Sequence, residues 1–221
     1  SPSYHPEHTM RLLPLLLATT MTMAPVLLLG QTVQDGLDAY EAGDYEAAFE
    51  IFQPVAEEGY AEAQFYIGLM YLSSNGVPQD SSEAAKWLKL AAEQEVAEAQ
   101  YTLALIHENG LGVPQDYTGA VKWYRLAAEQ GVAEAQYNLG VMYYNGEGVP
   151  RDYAEAANLL RKAAEQGDAT AQYNLGVMYN GGRGVPQDYS EAIKWYRMAA
   201  EQGYAEAQYN LALMYDNGDG V

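Results

Sequence analysis

The residues of this chain that could do chemistry recur on one fixed interval, and that regularity decides how they are read. Three histidines are present, His5, His8 and His107. His107 stands where Tyr71, Tyr143, Tyr179 and Tyr215 stand in the other copies, so packing at a core or rim accounts for it better than proton transfer. Carboxylates at Glu62, Glu98, Glu134 and Glu206 fall once per interval. Neighbouring packed helices lie about 8–10 Å apart, which makes these a solvated row and not an acid/base pair. The segments Gly146–Glu147–Gly148 and Gly182–Arg183–Gly184 look like phosphate cradles, but they lack the Gly-Lys-Ser/Thr ending and no strand precedes them. Cysteine is absent, which removes thiol nucleophiles, thiolate metal sites and disulfides. No metal, cofactor or catalytic motif is expected.

A different chemistry fits the row Tyr66, Thr102, Asn138, Asn174 and Asn210. A carboxamide both donates to and accepts from peptide backbone, so such a ladder suits capture of an extended segment. Solvation of a wall is the plainer alternative for the same residues. The interval itself is explicit: Ala-Gln recurs at Ala63, Ala99, Ala135, Ala171 and Ala207, every 36 residues, and Val-Pro follows at Val77, Val113, Val149 and Val185. A period of this size marks a stacked repeat array, whose working surface is extended.

One unit shows what positions the ladder. Ala133–Tyr143 reads as a first helix, A, and the turn formers Asn145 to Pro150 must end it. A second helix, B, starts at Asp152 with Glu155 three residues on, a capping-box pattern repeated at Asp80/Glu83 and Asp188/Glu191. At Asp116 the third position is Gly119, so only half of that pattern survives there. Gly131, Gly167 and Gly203 close helix B in the left-handed conformation, and Glu95 takes that slot once, so its turn is expected to be less stable. Helix B carries an apolar stripe (Ala84, Trp87, Leu88, Ala91; Ala120, Trp123, Tyr124, Ala127). Lys89, Arg125, Arg161 and Arg197 each precede a Glu by four residues, the spacing of weak ion pairs on a solvated face. Helix A is apolar almost all round and should be buried, with Gly140 and Gly176 allowing close backbone approach. Gln64, Gln100, Gln136, Gln172 and Gln208 fall inside its apolar arc and are assigned to hydrogen bonds between units. A narrow polar strip remains: Glu134/Asn138/Asn145, with equivalents Glu98/Thr102/Asn109, Thr170/Asn174/Gly181 and Glu206/Asn210/Asn217. It is expected to line the inner curve.

Composition sets the outer limits. Thirty acidic and eleven basic side chains give a formal charge of −19, which argues against a nucleic-acid partner. At the N-terminus, Arg11 precedes the leucine-rich run Leu12–Leu29, with small residues Ala24 and Gly30 beyond its middle. Residues 1–30 therefore read as a leader with a signal peptide, its start at Met10, and the mature protein as periplasmic or secreted with no membrane association after cleavage. An uncleaved anchor is the competing reading.

The unit AEAQYNLGVMYYNGEGVPRDYAEAANLLRKAAEQGD resembles the Sel1-like repeat, a relative of the tetratricopeptide repeat. The match is carried by Ala135, Leu139, Gly140, Tyr143, Gly146, Gly148, Val149, Ala156, Ala163, Ala164 and Gly167. It recurs over residues 61–221 as 61–96, 97–132, 133–168, 169–204 and a shortened 205–221, after a divergent first helix pair at 31–60 whose turn is Ala42–Gly43–Asp44–Tyr45. The resemblance implies an all-α, right-handed α/α superhelical solenoid of helix-turn-helix repeats that binds proteins or peptides or scaffolds complexes. Some bacterial relatives staple each unit with a disulfide; without cysteine that property does not carry over. Because the last unit stops at Val221, its Leu211, Leu213 and Met214 are expected either to lack a covering helix or to form a cap.

The function expected is therefore a non-catalytic interaction module that holds a protein segment against Glu98, Thr102, Glu134, Asn138, Asn174, Glu206 and Asn210. The alternatives are a secreted hydrolase or cell-wall-active enzyme, and a truncated paralogue without independent activity. Partner identity and oligomeric state are not legible.

Overall fold

The computed structural model describes residues 23–220. Eleven helices fill them, and no strand occurs among the described residues. In chain order they are α1 (Met23–Glu41), α2 (Tyr45–Glu57), α3 (Ala61–Ser73), α4 (Ser81–Glu93), α5 (Ala97–Asn109), α6 (Tyr117–Glu129), α7 (Ala133–Asn145), α8 (Tyr153–Glu165), α9 (Ala169–Gly181), α10 (Tyr189–Glu201) and α11 (Ala205–Asn217). From α3 on, odd helices are the A type and even helices the B type. Each packs chiefly on the other helix of its own pair and then on the next pair, building a right-handed α/α superhelical solenoid. Most of the expected leader, with His5, His8 and Met10, lies outside the described residues. Among those described, no helix is long and apolar enough to cross a membrane.

The helix ends follow the sequence, with one difference. Asp80, Asp152 and Asp188 each accept two backbone N–H groups of the helix they start, as Asp80 does from Ser82 (2.9 Å) and Glu83 (3.0 Å). The reciprocal half of the capping box does not form. The backbone N–H that a glutamate would take already donates to a helix-A carbonyl, Asp152 to Tyr143 at 3.0 Å and Asp188 to Tyr179 at 3.1 Å. Glu83 and Glu191 turn instead to Lys86 and Lys194. Ahead of Gly119, Asp116 makes no side-chain cap bond at all.

Units are joined by amides. Gln64, Gln100, Gln136 and Gln172 are buried. Each donates Nε2 to a carbonyl at the end of the preceding helix B (Ala56, Ala92, Ala128, Ala164), all at 3.1 Å. Each accepts in turn from the glutamine that ends its own helix B: Gln94, Gln130, Gln166 and Gln202 at 2.8–2.9 Å. That second glutamine also donates to the inter-unit turn behind it, at Gly59, Glu95, Gly131 or Gly167, all at 3.0 Å. The inter-unit role read for the first set holds, and its partner set is new.

Two expectations are refined. A Cβ at Gly176 would stand 2.7 Å from the Tyr196 ring, and one at Gly140 3.1 Å from Leu160 Cγ; these glycines make room for a bulky helix-B side chain more than for a second backbone. The arginines of helix B do not form the i,i+4 pairs. Arg125, Arg161 and Arg197 each donate to a tyrosine hydroxyl of the next helix A (Tyr143, Tyr179, Tyr215) at 2.7 Å. Only Lys89 pairs with its glutamate, Glu93, at 3.7 Å, because its tyrosine slot holds His107. The half-buried His107 leaves Nδ1 without a partner. In the last unit, Met214 is buried and Leu211 half-buried against α10, while Leu213 and Tyr209 are exposed.

Glu95 adopts φ +66° where the other units place glycine. Glu95→Gly should therefore raise stability by about 1 kcal/mol, since a side chain in the left-handed region is strained; urea unfolding measures it. At Gly148 (φ +67°) a Cβ would lie 2.4 Å from the Tyr117 carbonyl of the preceding unit. Gly148→Ala should cost at least about 2 kcal/mol in the same assay, because both strain and overlap are added.

Candidate functional site

Helix A buries one side and offers the other. On α7, Ala135, Gln136, Leu139, Gly140 and Met142 are buried, Tyr137, Asn138, Val141 and Tyr144 are half-buried, and Glu134 and Asn145 are exposed. The open side thus holds a polar strip beside an apolar strip spaced i, i+4, i+7 (Tyr137, Val141, Tyr144). The sequence shows the first, and of the second it places Tyr137 and Val141 in the buried arc. The signal for it was present: Phe65, Tyr101, Tyr137, Tyr173 and Tyr209 form an aromatic ladder at the repeat interval, next to the asparagine ladder on the helix circumference.

Between α7 and α9 the two strips enclose a cavity of about 240 Å³, lined by Tyr137, Val141, Tyr144, Asn174, Val177 and Met178 with Leu160 of α8 at its floor. It falls below the roughly 300–1,000 Å³ of small-molecule pockets, and its walls are fixed by side-chain bonds. Asn174 Nδ2 donates to Tyr137 Oη at 3.4 Å, and Arg183 donates to Tyr144 Oη across the groove. A second depression lies between α3 and α5, lined by Glu62, Phe65, Tyr66, Val96 and Glu98.

The predicted ladder is more committed than an isolated carboxamide row. Asn138 Nδ2 donates to Tyr124 Oη (3.1 Å), which itself donates to Glu108 Oε2 (2.5 Å). Thr102 Oγ1 donates to the Glu98 carbonyl at 2.7 Å. Asn210 bonds the Tyr196 hydroxyl. Asn138 is shared between the Tyr124 and Tyr101 hydroxyls, whereas Asn174 arrives oriented with one N–H on Tyr137 and its other N–H and carbonyl left. Glu98, Glu134 and Glu206 stand exposed at the first turn of their helices. The cavity itself uses only Asn174 of the predicted set.

These surroundings hold the wall tyrosines neutral. Burial raises the Tyr101 phenol first and the Glu134 charge adds to it; at Tyr66 burial is followed by Glu62. Tyr124 is raised far more, by burial and then by its bond to Glu108. Burial pushes Tyr196 up to about 12, with Asn210 opposing. Among the described residues no group of three or more His, Asp or Glu could hold a metal ion.

Comparison with known proteins accords with this geometry. The Sel1 repeat profile matches residues 27–60, 61–96, 97–132, 133–168, 169–204 and 205–221. A Sel1 repeat protein from Oxalobacter formigenes superposes with TM-score 0.82 at 38% identity, over 86% of this chain and 78% of that one. A protective antigen present in uropathogenic Escherichia coli strains superposes with TM-score 0.75 at 45% identity, over 78% of this chain and 37% of that one. Among curated proteins, DAP3-binding cell death enhancer 1 from Rattus norvegicus is 43% identical over 49 residues, 22% of this chain and 10% of that protein. The chain thus spans about a tenth of that curated relative and little over a third of the antigen.

Tyr196 gives a titration test. Its phenol is raised from 10.0 to about 12, so the folded state holds a proton that the unfolded chain releases. The resulting stability is complete below pH 10, where a free tyrosine titrates, and is lost as pH rises toward about 12. Tyr196→Phe should flatten the fall in urea stability across that window.

Proposed function

The chain belongs to the Sel1 repeat family, and on that premise we propose that it is a non-catalytic interaction module that holds a segment of a partner protein along its helix-A wall. The Sel1 fold is generally a scaffold for protein–protein contacts. The observation that carries the finer reading is the cavity between α7 and α9, apolar at its base and edged by a pre-oriented Asn174. An apolar recess beside fixed amides is what an extended chain needs, a seat for a side chain and partners for its backbone. Glu98, Thr102, Glu134, Asn138, Asn174, Glu206 and Asn210 are the contact residues of this reading. Tyr137, Val141 and Val177 join them. The leader pattern at residues 1–30 supports a place of action in the periplasm or outside the cell.

Affinity purification from the native envelope tests the wall. The triple replacement of Asn138, Asn174 and Asn210 by Ala should abolish partner capture with helical content by circular dichroism unchanged. The tyrosine bonds it removes are worth about 1 kcal/mol each, too little to unfold a stacked array. Capture that survives the triple change would place the contact elsewhere.

A further inference from the structure

Charge is segregated between the two helix types. Every lysine and arginine of the described residues lies on a B helix or in a loop, and α3, α5, α7, α9 and α11 carry none. Those A helices instead present an exposed glutamate at one end, Glu62, Glu98, Glu134 and Glu206, and none of the four forms an ion pair among the described residues. Their field is felt along the wall, where it adds to burial in holding the Tyr66 and Tyr101 phenols up. The row has one gap. On α9 the slot is Thr170, and the acid before it, Asp168, is spent capping that helix through the Ala171 N–H at 2.7 Å. The gap lies one helical turn before Asn174, which edges the apolar cavity between α7 and α9.

From this pattern we infer that the occupant of the groove is a cationic extended segment: a run of spaced lysines or arginines followed by one bulky apolar residue. The inference rests on the groove reading above and specifies its partner. Adjacent A helices stand roughly 10 Å apart, the length of about three extended residues. In an extended segment of polyproline II type, with three residues per turn and about 3.1 Å per residue, basic side chains at every third position share one face and would meet Glu62, Glu98 and Glu134 in turn. The next position then falls at Thr170, where no acid waits; one turn along α9, beyond Asn174, the cavity of Tyr137, Val141 and Val177 takes a bulky apolar side chain. A positive segment approaching the Glu62, Glu98 and Glu134 stretch of the wall is also steered toward it before contact. The cations on the B helices would repel the same segment, so only one face of the array admits it.

Fluorescence anisotropy with labelled dodecapeptides tests this on the full chain. One series carries lysine at every third position with a terminal leucine in register; its counterparts carry glutamate or serine in place of lysine. The lysine series should bind about tenfold more tightly than the serine series, as three exposed ion pairs allow, and should weaken with added salt. The triple variant Glu62→Lys, Glu98→Lys, Glu134→Lys should transfer the preference to the glutamate series. Val141→Asn with Val177→Asn, which removes the apolar seat without adding charge, should remove binding of all series. Equal binding of the lysine and serine series, still lost in the Val141/Val177 variant, would overturn the charge inference and leave the groove. Lysine-series binding that ignores the Val141/Val177 variant would remove the groove and this inference with it. No binding by any series would overturn the inference as well.

Discussion

Everything in this molecule depends on one buried amide bridge per unit. Carboxamides at Gln64, Gln100, Gln136 and Gln172 sit among apolar side chains, where an unbonded polar group costs about 1–3 kcal/mol. Each escapes that cost only if the preceding unit supplies a carbonyl and its own helix B ends in a glutamine at the correct distance. The bridge therefore fixes three things together: the angle between units, the length of helix B and the position of the turn between units. An apolar contact in its place would tolerate sliding. A hydrogen-bonded one has a single register, and the same register repeated gives a regular stack.

That register also decides which surface is free. With its small residues and amides turned toward helix B and the preceding unit, helix A has only the arc from Tyr144 through Glu134 to Asn138 left to offer. The B helices offer lysines and arginines, but the three arginines bonded to tyrosines of the next unit are already used as struts. Structural bonding and recognition are thus divided between faces. Polar side chains that tie units together lie between helices, and those left for a partner lie on the A wall.

Much of the fold was legible because each unit repeats the same local argument: turn glycines, an aspartate at the start of helix B and a stripe of alanines. Glu95 at a left-handed position was readable from a single departure in an otherwise regular column; the loss of the Asp116 cap bond was not, since Gly119 removes only the glutamate half of the pattern. What misled was the assumption that neighbours in sequence are partners in space. Arg125, Arg161 and Arg197 have a glutamate four residues on, yet each reaches a tyrosine eighteen residues on, because a planar guanidinium and a rigid phenol meet across the unit boundary. The same limit hid the groove. Tyr137 and Val141 belong to the apolar arc that reads as buried, and only the spacing between α7 and α9 leaves them half open beside Tyr144. Of the asparagine ladder, the positions were readable but not their tyrosine bonds, which depend on how deep each hydroxyl reaches.

The account reduces to the claim that amide-bridged units leave the helix-A wall as the working surface. Photo-crosslinking in the native cell tests it most directly, with a photoreactive amino acid in place of Val141 on the A wall and, separately, in place of Lys194 on the B face. The account predicts a discrete higher-mass adduct from the Val141 position and none from Lys194. Adducts from the Lys194 position alone would contradict it.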